Sequence, residues 1–350
     1  MLITGVPCAE LFLRLMKCDP EILGMAAKYL RIYFLGMPIM LVYNFSASIL
    51  RAVGDTKRPL IFLAIGGVAN VILNVLFILM GMTVEGVALG TICSQLIATV
   101  LTLRVLFKSN GYGSLKMKYL KFSKKELKEI LAIGIPSSLQ SLAFNISNVL
   151  IQGKINSFGK VGMSGNTTAT QFDAIIYNVG HAVAMSVMSF IGQNIGAKRM
   201  DRVKQTIISG VILSFLVSFS IGCIFALLAP KLCGIISNSK EVIEYATTRL
   251  VIMSLTYFLC TEMEVFANSV RSMGKPVVAL IVSVMGASVF RIAFLEIAFA
   301  IAPSFAIIFW TYPISWLLTC SIYSFIVPWV YKKTKAQIEK SEETEQEQAA

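Results

Sequence analysis

The sequence contains a single histidine, and charged residues make up only 14% of its 350 residues. Soluble globular proteins have about 25% charged residues, so this composition excludes an ordinary soluble domain. The sequence has no nucleotide-binding loop of the form G-x-x-x-x-G-K-[ST] and no Cys-x-x-Cys pair, and its seven cysteines are scattered. These absences argue against an enzyme, a metal site and a disulfide framework. They predict a chain that works without a cofactor.

Hydrophobic residues make up 56% of the chain and gather in long runs. A helix needs about 18–20 consecutive apolar residues to cross the hydrocarbon core of a bilayer, and most of the runs reach that length. The opening run is short, whereas the last is long enough to include a turn near Pro303. We therefore predict an all-α polytopic membrane protein with about ten transmembrane helices, over residues 1–13, 32–50, 60–80, 86–103, 130–153, 174–197, 205–230, 250–268, 277–300 and 297–331.

The formal net charge is +12, and the basic residues are concentrated in alternate links between the apolar runs. The link from Lys108 to Lys128 holds seven lysines, whereas the link GMTVEG at 81–86 holds no basic residue. Because basic residues favour cytoplasmic loops, this asymmetry predicts a multi-pass protein of the cell membrane with both termini in the cytoplasm. The predicted partners are the lipid bilayer and small-molecule substrates, without nucleic acid, and we expect a monomer.

Two polar stretches that interrupt the apolar runs resemble each other, SILRAVGDTKRPL at 48–60 and SVRSMGKPVVAL at 269–280. A shift of 220 residues places Arg51 and Gly54 on Arg271 and Gly274, and eight of the thirty-four positions from 21 to 54 are then identical. An even number of segments separates the copies, so both have the same orientation in the membrane. We predict two pseudo-symmetric lobes with a cleft between them, an architecture that suits alternating access.

The two predicted lobes are unequal. The polar stretch follows the fourth segment of the second lobe but only the second segment of the first lobe, so we expect the first lobe to lack two helices. The predicted domains are an incomplete N-terminal lobe of about four helices over 1–107 and a basic cytoplasmic linker over 108–129. A C-terminal six-helix lobe over 130–331 and a polar cytoplasmic tail over 332–350 follow.

Four stretches carry a resemblance to a known family, namely LRAVGDTKRP at 50–59, NSFGKVGMSGNTTA at 156–169, IGQNIGAKR at 191–199 and VRSMGKP at 270–276. Together they resemble the multidrug and toxic compound extrusion (MATE) exporters, whose halves are six-helix repeats. The resemblance covers residues 1 to about 331. It implies efflux of drugs or metabolites, often organic cations, driven by inward sodium or proton movement. It also implies that the first two helices of the family are missing.

Polar side chains mark a first candidate site in the N-terminal lobe. Asn70 and Asn74 lie one turn apart on one helical face, and Thr91 opens the next helix. Oxygen ligands of this kind suit a hard cation such as sodium. The resemblance implies that Asn70 and Thr91 match a family cation site, in which Asn74 replaces an aspartate. The alternative role for these residues is hydrogen bonding between helices.

A second candidate site lies in the C-terminal lobe, where Asp173, Tyr177 and His181 follow one another at four-residue steps on one helical face. A carboxylate beside a phenol and an imidazole can bind a cation or relay protons. The alternative is an aspartate at the membrane interface and a histidine satisfied by a structural hydrogen bond.

Two further carboxylates, Glu262 and Glu264, lie seven to nine residues before Arg271. That spacing places them roughly 10 to 14 Å into the membrane from the polar stretch. Because they are two residues apart they face different directions, so at most one is expected to line the cleft. Arg291 lies in the middle of the next segment, where we predict a structural ion pair with a glutamate. The candidates are Glu296 and the one of Glu262 and Glu264 that does not line the cleft.

These features predict a secondary active efflux transporter that exports drugs or metabolites, chiefly organic cations, in exchange for sodium or protons. The coupling ion is the only cofactor expected. Two alternatives stay open. One is a flippase for lipid-linked precursors from the same superfamily, which a cleft rich in cationic residues would favour, and the other is a truncated fragment that cannot transport without the missing helices.

Overall fold

A computed structural model describes residues 2–15, 20–109, 113–119 and 121–349. Met1 of the opening run, Ala350 of the tail and residues 110–112 and 120 of the predicted linker lie outside these ranges. Within them the chain is helical: α1 Leu2–Leu15, α2 Pro20–Ala52, α3 Lys57–Leu79, α4 Val84–Lys108, α5 Lys124–Asn156, α6 Gly159–Gly196, α7 Met200–Ile236, α8 Lys240–Ser272, α9 Pro276–Val284, α10 Arg291–Ile301 and α11 Phe305–Ala349, with a 3-10 turn at Met117–Tyr119 and a π-helical turn at Met285–Phe290 that joins α9 to α10.

Nine helical stretches in the described ranges are long and apolar enough to cross a membrane, namely α2 to α8, the continuous segment Pro276–Ile301 and α11. The short helix α1, with 14 residues, is not among them. The all-α polytopic fold class predicted from the sequence is confirmed. The turn expected near Pro303 lies between the end of α10 at Ile301 and the start of α11 at Phe305.

The chain forms two compact units, Met1–Phe122 and Ser123–Ala350. In the first unit α4 packs against α2 and α3, and α1 packs against α2. Helix α3 has only Pro59 and Gly66 buried, so most of its surface suits contact with lipid. A Cβ atom at Gly66 would lie 3.2 Å from the Ser94 carbonyl oxygen, which shows how closely the backbones of α3 and α4 approach.

The second unit is built around α8, which packs against α6, α7, α9 and α11. Its buried side chains include Leu250, Met253, Val265 and Val270. On α11, Tyr323 is fully buried, and its hydroxyl donates a hydrogen bond to the Ala279 carbonyl at 3.0 Å. Because α8 faces other helices on several sides, its side chains Arg249 and Glu264 find partners on a neighbouring helix.

Glycines allow the helices around α8 to come close. A Cβ atom at Gly180 of α6 would overlap the Thr261 side chain, and one at Gly222 of α7 would overlap the Ser254 carbonyl oxygen. Close approach of backbones at small residues is the usual basis of helix packing in membranes, where apolar burial alone gives little attraction between helices.

The two polar stretches end α2 and α8 with the same backbone motif. Gly54 and Gly274 have φ values of 89° and 79°, a left-handed conformation that favours glycine. The Gly54 amide donates to the Arg51 carbonyl and the Asp55 amide to the Leu50 carbonyl. The same two bonds recur at the equivalent positions of the stretch that contains Gly274, at 3.1 Å or less. The repeat read from the sequence is therefore also a repeat of helix-ending geometry.

The contact between α7 and α8 gives a first prediction. Gly222→Ala places a methyl group against the fixed Ser254 carbonyl, so we expect a loss of about 1–3 kcal/mol in the free energy of unfolding, the usual cost of overpacking. The loss would appear as a lower midpoint of thermal unfolding in detergent. Gly134→Ala on α5 is the matched control, because no heavy atom lies within 4 Å of the position that a Cβ atom would take there. Equal midpoints for both variants would contradict the close contact.

Candidate functional site

A carboxylate on α8 and two polar side chains on α6 form the centre of the candidate site in the second unit. Tyr177 and His181 lie one turn apart and stack, with ring centroids 5.5 Å apart. The Tyr177 hydroxyl donates to Glu264 Oε1 at 3.0 Å, and His181 Nδ1 lies 2.7 Å from Glu264 Oε2. The structure thus brings together three predicted site residues, each of which is only partly buried.

Asp173, the third member of the predicted face on α6, has a different partner. Its Oδ2 accepts hydrogen bonds from Arg249 Nε at 3.1 Å and Arg249 Nη2 at 2.8 Å. The Arg249 Nη1 group also donates to the backbone carbonyl of Asn166 at 3.0 Å and to the side chain of the same residue. Asp173 is 1% exposed, so this is a buried ion pair of α6 and α8. Asp173 therefore does not share a hydrogen-bonded partner with Tyr177 and His181, as a proton relay along this face of α6 would require.

Arg249 is the functional-site neighbour that sequence reasoning missed. It directly precedes the apolar run 250–268, so the hydropathy pattern places it at the edge of a membrane segment. Helix α8, however, begins at Lys240, so Arg249 lies nine residues or about 13 Å along the helix from its first residue. An arginine that far inside a helix is the sequence feature that could have indicated a buried partner. The Arg249 guanidinium also lies 5.1 Å from the centroid of the Phe309 ring.

Glu262 and Glu264 face different directions on α8, as their spacing requires. Glu264 reaches α6, whereas Glu262 makes no hydrogen bond or ion pair with any residue in the described part of the chain and is partly exposed. The structure therefore separates two carboxylates that the sequence could not distinguish.

The predicted ion pair of Arg291 with Glu296 is wrong. Arg291 is 5% exposed and donates through Nε to the Ser315 hydroxyl at 2.9 Å. Its guanidinium lies over the Tyr312 ring, with 4.3 Å to the centroid. Glu296 instead pairs with Lys154 of α5 at 2.8 Å. The reason is helical geometry: residues five positions apart point to different sides of a helix, so Arg291 faces α11 while Glu296 faces α5.

A cavity of about 420 Å³ in the second unit is lined both by Tyr177 and Glu264 and by Arg291. It lies within the usual size range of ligand sites, about 300–1,000 Å³. Its lining combines one carboxylate, one guanidinium and several aromatic rings. It is lined by Ser141, Phe144, Asn145, Asn148, Tyr177, Tyr257, Cys260, Met263, Glu264, Ala287, Arg291, Tyr312 and Trp316. Glu262 and Asp173 are not among the lining residues.

The predicted site of the first unit also comes together. Asn70 Nδ2 donates to the Thr91 hydroxyl at 3.4 Å, and Asn74 Nδ2 donates to Asn70 Oδ1 at 3.2 Å. Asn74 Oδ1 is buried and has no partner among the described residues. Gly90 makes room for this oxygen, because any Cβ atom there would overlap it. The three side chains contain no titratable group.

The chemistry available in the second unit follows from the partners of each carboxylate. Both donor nitrogens that reach Asp173 Oδ2 belong to a cation, so its charge is already neutralised. Glu264 is held by a neutral phenol and by an imidazole that is charged only when it is protonated, so a proton or a cation can compensate its charge when the imidazole is neutral. No cluster of three or more histidine, cysteine or acidic side chains with metal-binding geometry occurs in the described ranges.

Many membrane-spanning helices with a carboxylate facing an internal cavity define a polytopic membrane protein of the transporter class. The chain belongs to the MatE family, whose model matches residues 1–76 and 136–297. The family is one of membrane transporters and not of enzymes, as the sequence predicted, and the resemblance stated from the four motifs is confirmed.

Curated relatives agree with this assignment. The chain is 36% identical over 200 residues to the probable multidrug resistance protein YpnP of Bacillus subtilis, a match that covers 57% of this chain and 44% of the relative. It is 26% identical over 290 residues to the probable multidrug resistance protein YoeA of the same organism, covering 79% and 62% of the two chains. This chain thus spans about half to three-fifths of the length of the curated relatives it matches.

A solved structure shows the same fold. An outward-facing multidrug resistance MATE family transporter of the MOP superfamily matches with a TM-score of 0.87 at 20% identity. The match covers 97% of this chain and 76% of the solved chain.

The buried ion pair gives a second prediction. Arg249→Met leaves Asp173 ionised or protonated without its partner, so we expect a loss of about 3–5 kcal/mol in the free energy of unfolding. The double variant Asp173→Asn with Arg249→Met should lose less than the sum of the two single variants, since the coupled groups are removed together. Thermal unfolding of the four proteins in detergent measures this coupling.

The exposed pair of Lys28 with Glu85 is the matched control for that measurement. Its N–O distance of 2.9 Å is similar, but the two side chains are 65% and 38% exposed. We expect a coupling below about 1 kcal/mol there. A coupling for the Asp173 pair no larger than for the Lys28 pair would show that burial does not strengthen it.

Proposed function

We propose that this protein is a cation-coupled MATE antiporter that exports drugs or metabolites, chiefly organic cations, in exchange for sodium or protons. The observation that carries the proposal is Glu264, a carboxylate inside a helix that faces a cavity of about 420 Å³ and has a phenol and an imidazole as hydrogen-bond partners. A buried ionisable group is costly unless it serves a cavity or partner, and this one has both.

Exchange at Glu264 follows from mutual competition for one negative charge. A proton or sodium ion that reaches Glu264 neutralises it and weakens the hydrogen bonds from Tyr177 and His181. An organic cation in the cavity needs the same carboxylate ionised, and it can also contact the aromatic rings of Phe144 and Tyr257 in the cavity lining. Because the coupling ion and the organic cation cannot bind Glu264 at the same time, binding of one favours release of the other.

The first unit is assigned a supporting role in this scheme. Asn70, Asn74 and Thr91 offer neutral oxygen atoms, and the buried Asn74 Oδ1 has an unused acceptor site. Such a group can coordinate a sodium ion but cannot carry a proton. Proton coupling, if it is used, is therefore placed at Glu264 and His181 in the second unit.

The basic residues orient the protein in this proposal. The alternation of Lys-rich and Lys-poor links supports both termini in the cytoplasm, with the chain in the cell membrane as a monomer. The two polar stretches that contain Gly54 and Gly274 are then cytoplasmic turns.

The third prediction tests the function directly. In cells that lack their own exporters, we expect Glu264→Gln to lower ethidium efflux by about tenfold or more, since hydrogen bonds to a charged group contribute about 1.5–3 kcal/mol each. Efflux is followed after collapse of the sodium gradient and, separately, of the proton gradient, and the gradient that matters identifies the coupling ion. Surface expression is measured in parallel for each variant.

Glu262→Gln is the matched control, because it removes the same charge from the same helix but outside the cavity. Equal losses in the two variants would contradict the assignment of Glu264. Efflux by the 350-residue chain supports an antiporter that works as it stands. Efflux only after extension of the chain on its N-terminal side would favour the fragment alternative, and transport of a lipid-linked anion without ethidium would favour the flippase.

A further inference from the structure

A second concave site of the Ser123–Ala350 unit lies between α7, α8 and α11 and has a volume of about 520 Å³. Aliphatic side chains of α7 form one wall, including Ile208 and Ile212, which are 49% and 54% exposed. Val327 and Pro328 of α11 form the other wall, with Phe266 of α8 between them. The groove is thus apolar along its length and open to the surroundings of the protein. Two lysines, Lys204 and Lys332, complete the lining.

Both lysines lie at the same end of the groove. Lys204 is the first lining residue of α7, and Lys332 is the last of α11. The Tyr331 hydroxyl donates to the Met200 carbonyl at 3.0 Å, which holds this part of α11 against the start of α7. The Thr334 hydroxyl donates to the Met273 carbonyl at 3.3 Å, so the end of α8 lies at the same level.

The two lysines have no ion-pair partner in the part of the chain that the structure describes. Neither Lys204 nor Lys332 forms an ion pair with a residue in the described ranges, whereas the nearby Lys335 pairs with Glu339 at 3.6 Å. The neighbouring Lys333 lies over the Trp329 ring at 5.4 Å, an arrangement typical of the membrane interface. The groove is thus amphipathic, with two lysines at one end that have no acidic partner in the described ranges.

We propose that this groove binds an anionic phospholipid, with an acyl chain along α7 and α11 and the headgroup phosphate between Lys204 and Lys332. The shape separates this site from the ordinary lipid-facing surface, because it is concave and its cations converge on one end. Basic pockets between membrane helices bind anionic headgroups on electrostatic grounds, and long lysine side chains extend readily to the interface. The site is separate from the Glu264 cavity, and the two share no lining residue.

Native mass spectrometry of the purified full chain in detergent tests the proposal, with phosphatidylglycerol or phosphatidylcholine added at equal concentration. We expect one phosphatidylglycerol to bind the unaltered protein at least tenfold more tightly than phosphatidylcholine. Lys204→Ala with Lys332→Ala should lower phosphatidylglycerol affinity about 10- to 30-fold, since each lysine near an anionic headgroup contributes about fivefold. Ser324→Trp fills the apolar groove, leaves both lysines in place and should reduce binding of the lipid to a similar degree.

Lys333→Ala with Lys335→Ala is the matched control, because it removes the same net charge from the same region but leaves the groove lining unchanged. We expect less than a threefold loss from it at about 0.15 M salt, where charges outside the site are largely screened. Equal losses from the two double variants would overturn the proposal in favour of general surface attraction. Displacement of the lipid by inorganic phosphate at millimolar concentration would also overturn it, since the site would then recognise a free anion.

Discussion

Hydrocarbon cannot solvate charge, and helix α8 nevertheless carries Arg249 and Glu264 inside one membrane-spanning helix. Each of the two has a partner on a neighbouring helix, Asp173 for Arg249 and both Tyr177 and His181 for Glu264. Arg271, in the last turn of α8, donates to Gln140 at 2.6 Å. The packing around α8 follows from this need. Helices α6 and α7 approach α8 at Gly180 and Gly222, because a residue without a side chain lets the backbones of two helices come close together.

The polar pairs on α8 differ in what they can still do. Asp173 and Arg249 compensate each other in a nearly solvent-free position, so separating them is costly and the pair is suited to holding α6 and α8 together. Glu264 has a phenol and a titratable imidazole as partners and an adjoining cavity, which supports our proposal that its charge is available to an incoming cation or proton. We therefore propose different roles for the two carboxylates, stability for Asp173 and exchange for Glu264, because their hydrogen-bond partners differ in charge.

The sequence predicted the elements well where a local rule applied. The shared turn after Arg51 and Arg271 could be read from glycine spacing, and the polar cluster of Asn70, Asn74 and Thr91 from helical period. Prediction failed for Arg249 and for the Arg291 pair. In both cases the missing information was which neighbouring helix a side chain faces, and no spacing along one helix supplies that.

By itself, the sequence determined that this protein spans a membrane many times, because long apolar runs have no other stable arrangement in lipid than the helix. It also determined the repeated helix ends and the set of polar side chains from which a site could be built. Only the tertiary structure decided that Tyr177 and His181 hold Glu264, that Arg249 takes Asp173, and that Glu296 reaches Lys154. The physical reason is that these partners lie 76 to 142 positions apart in the chain, and helix packing alone brings them within reach.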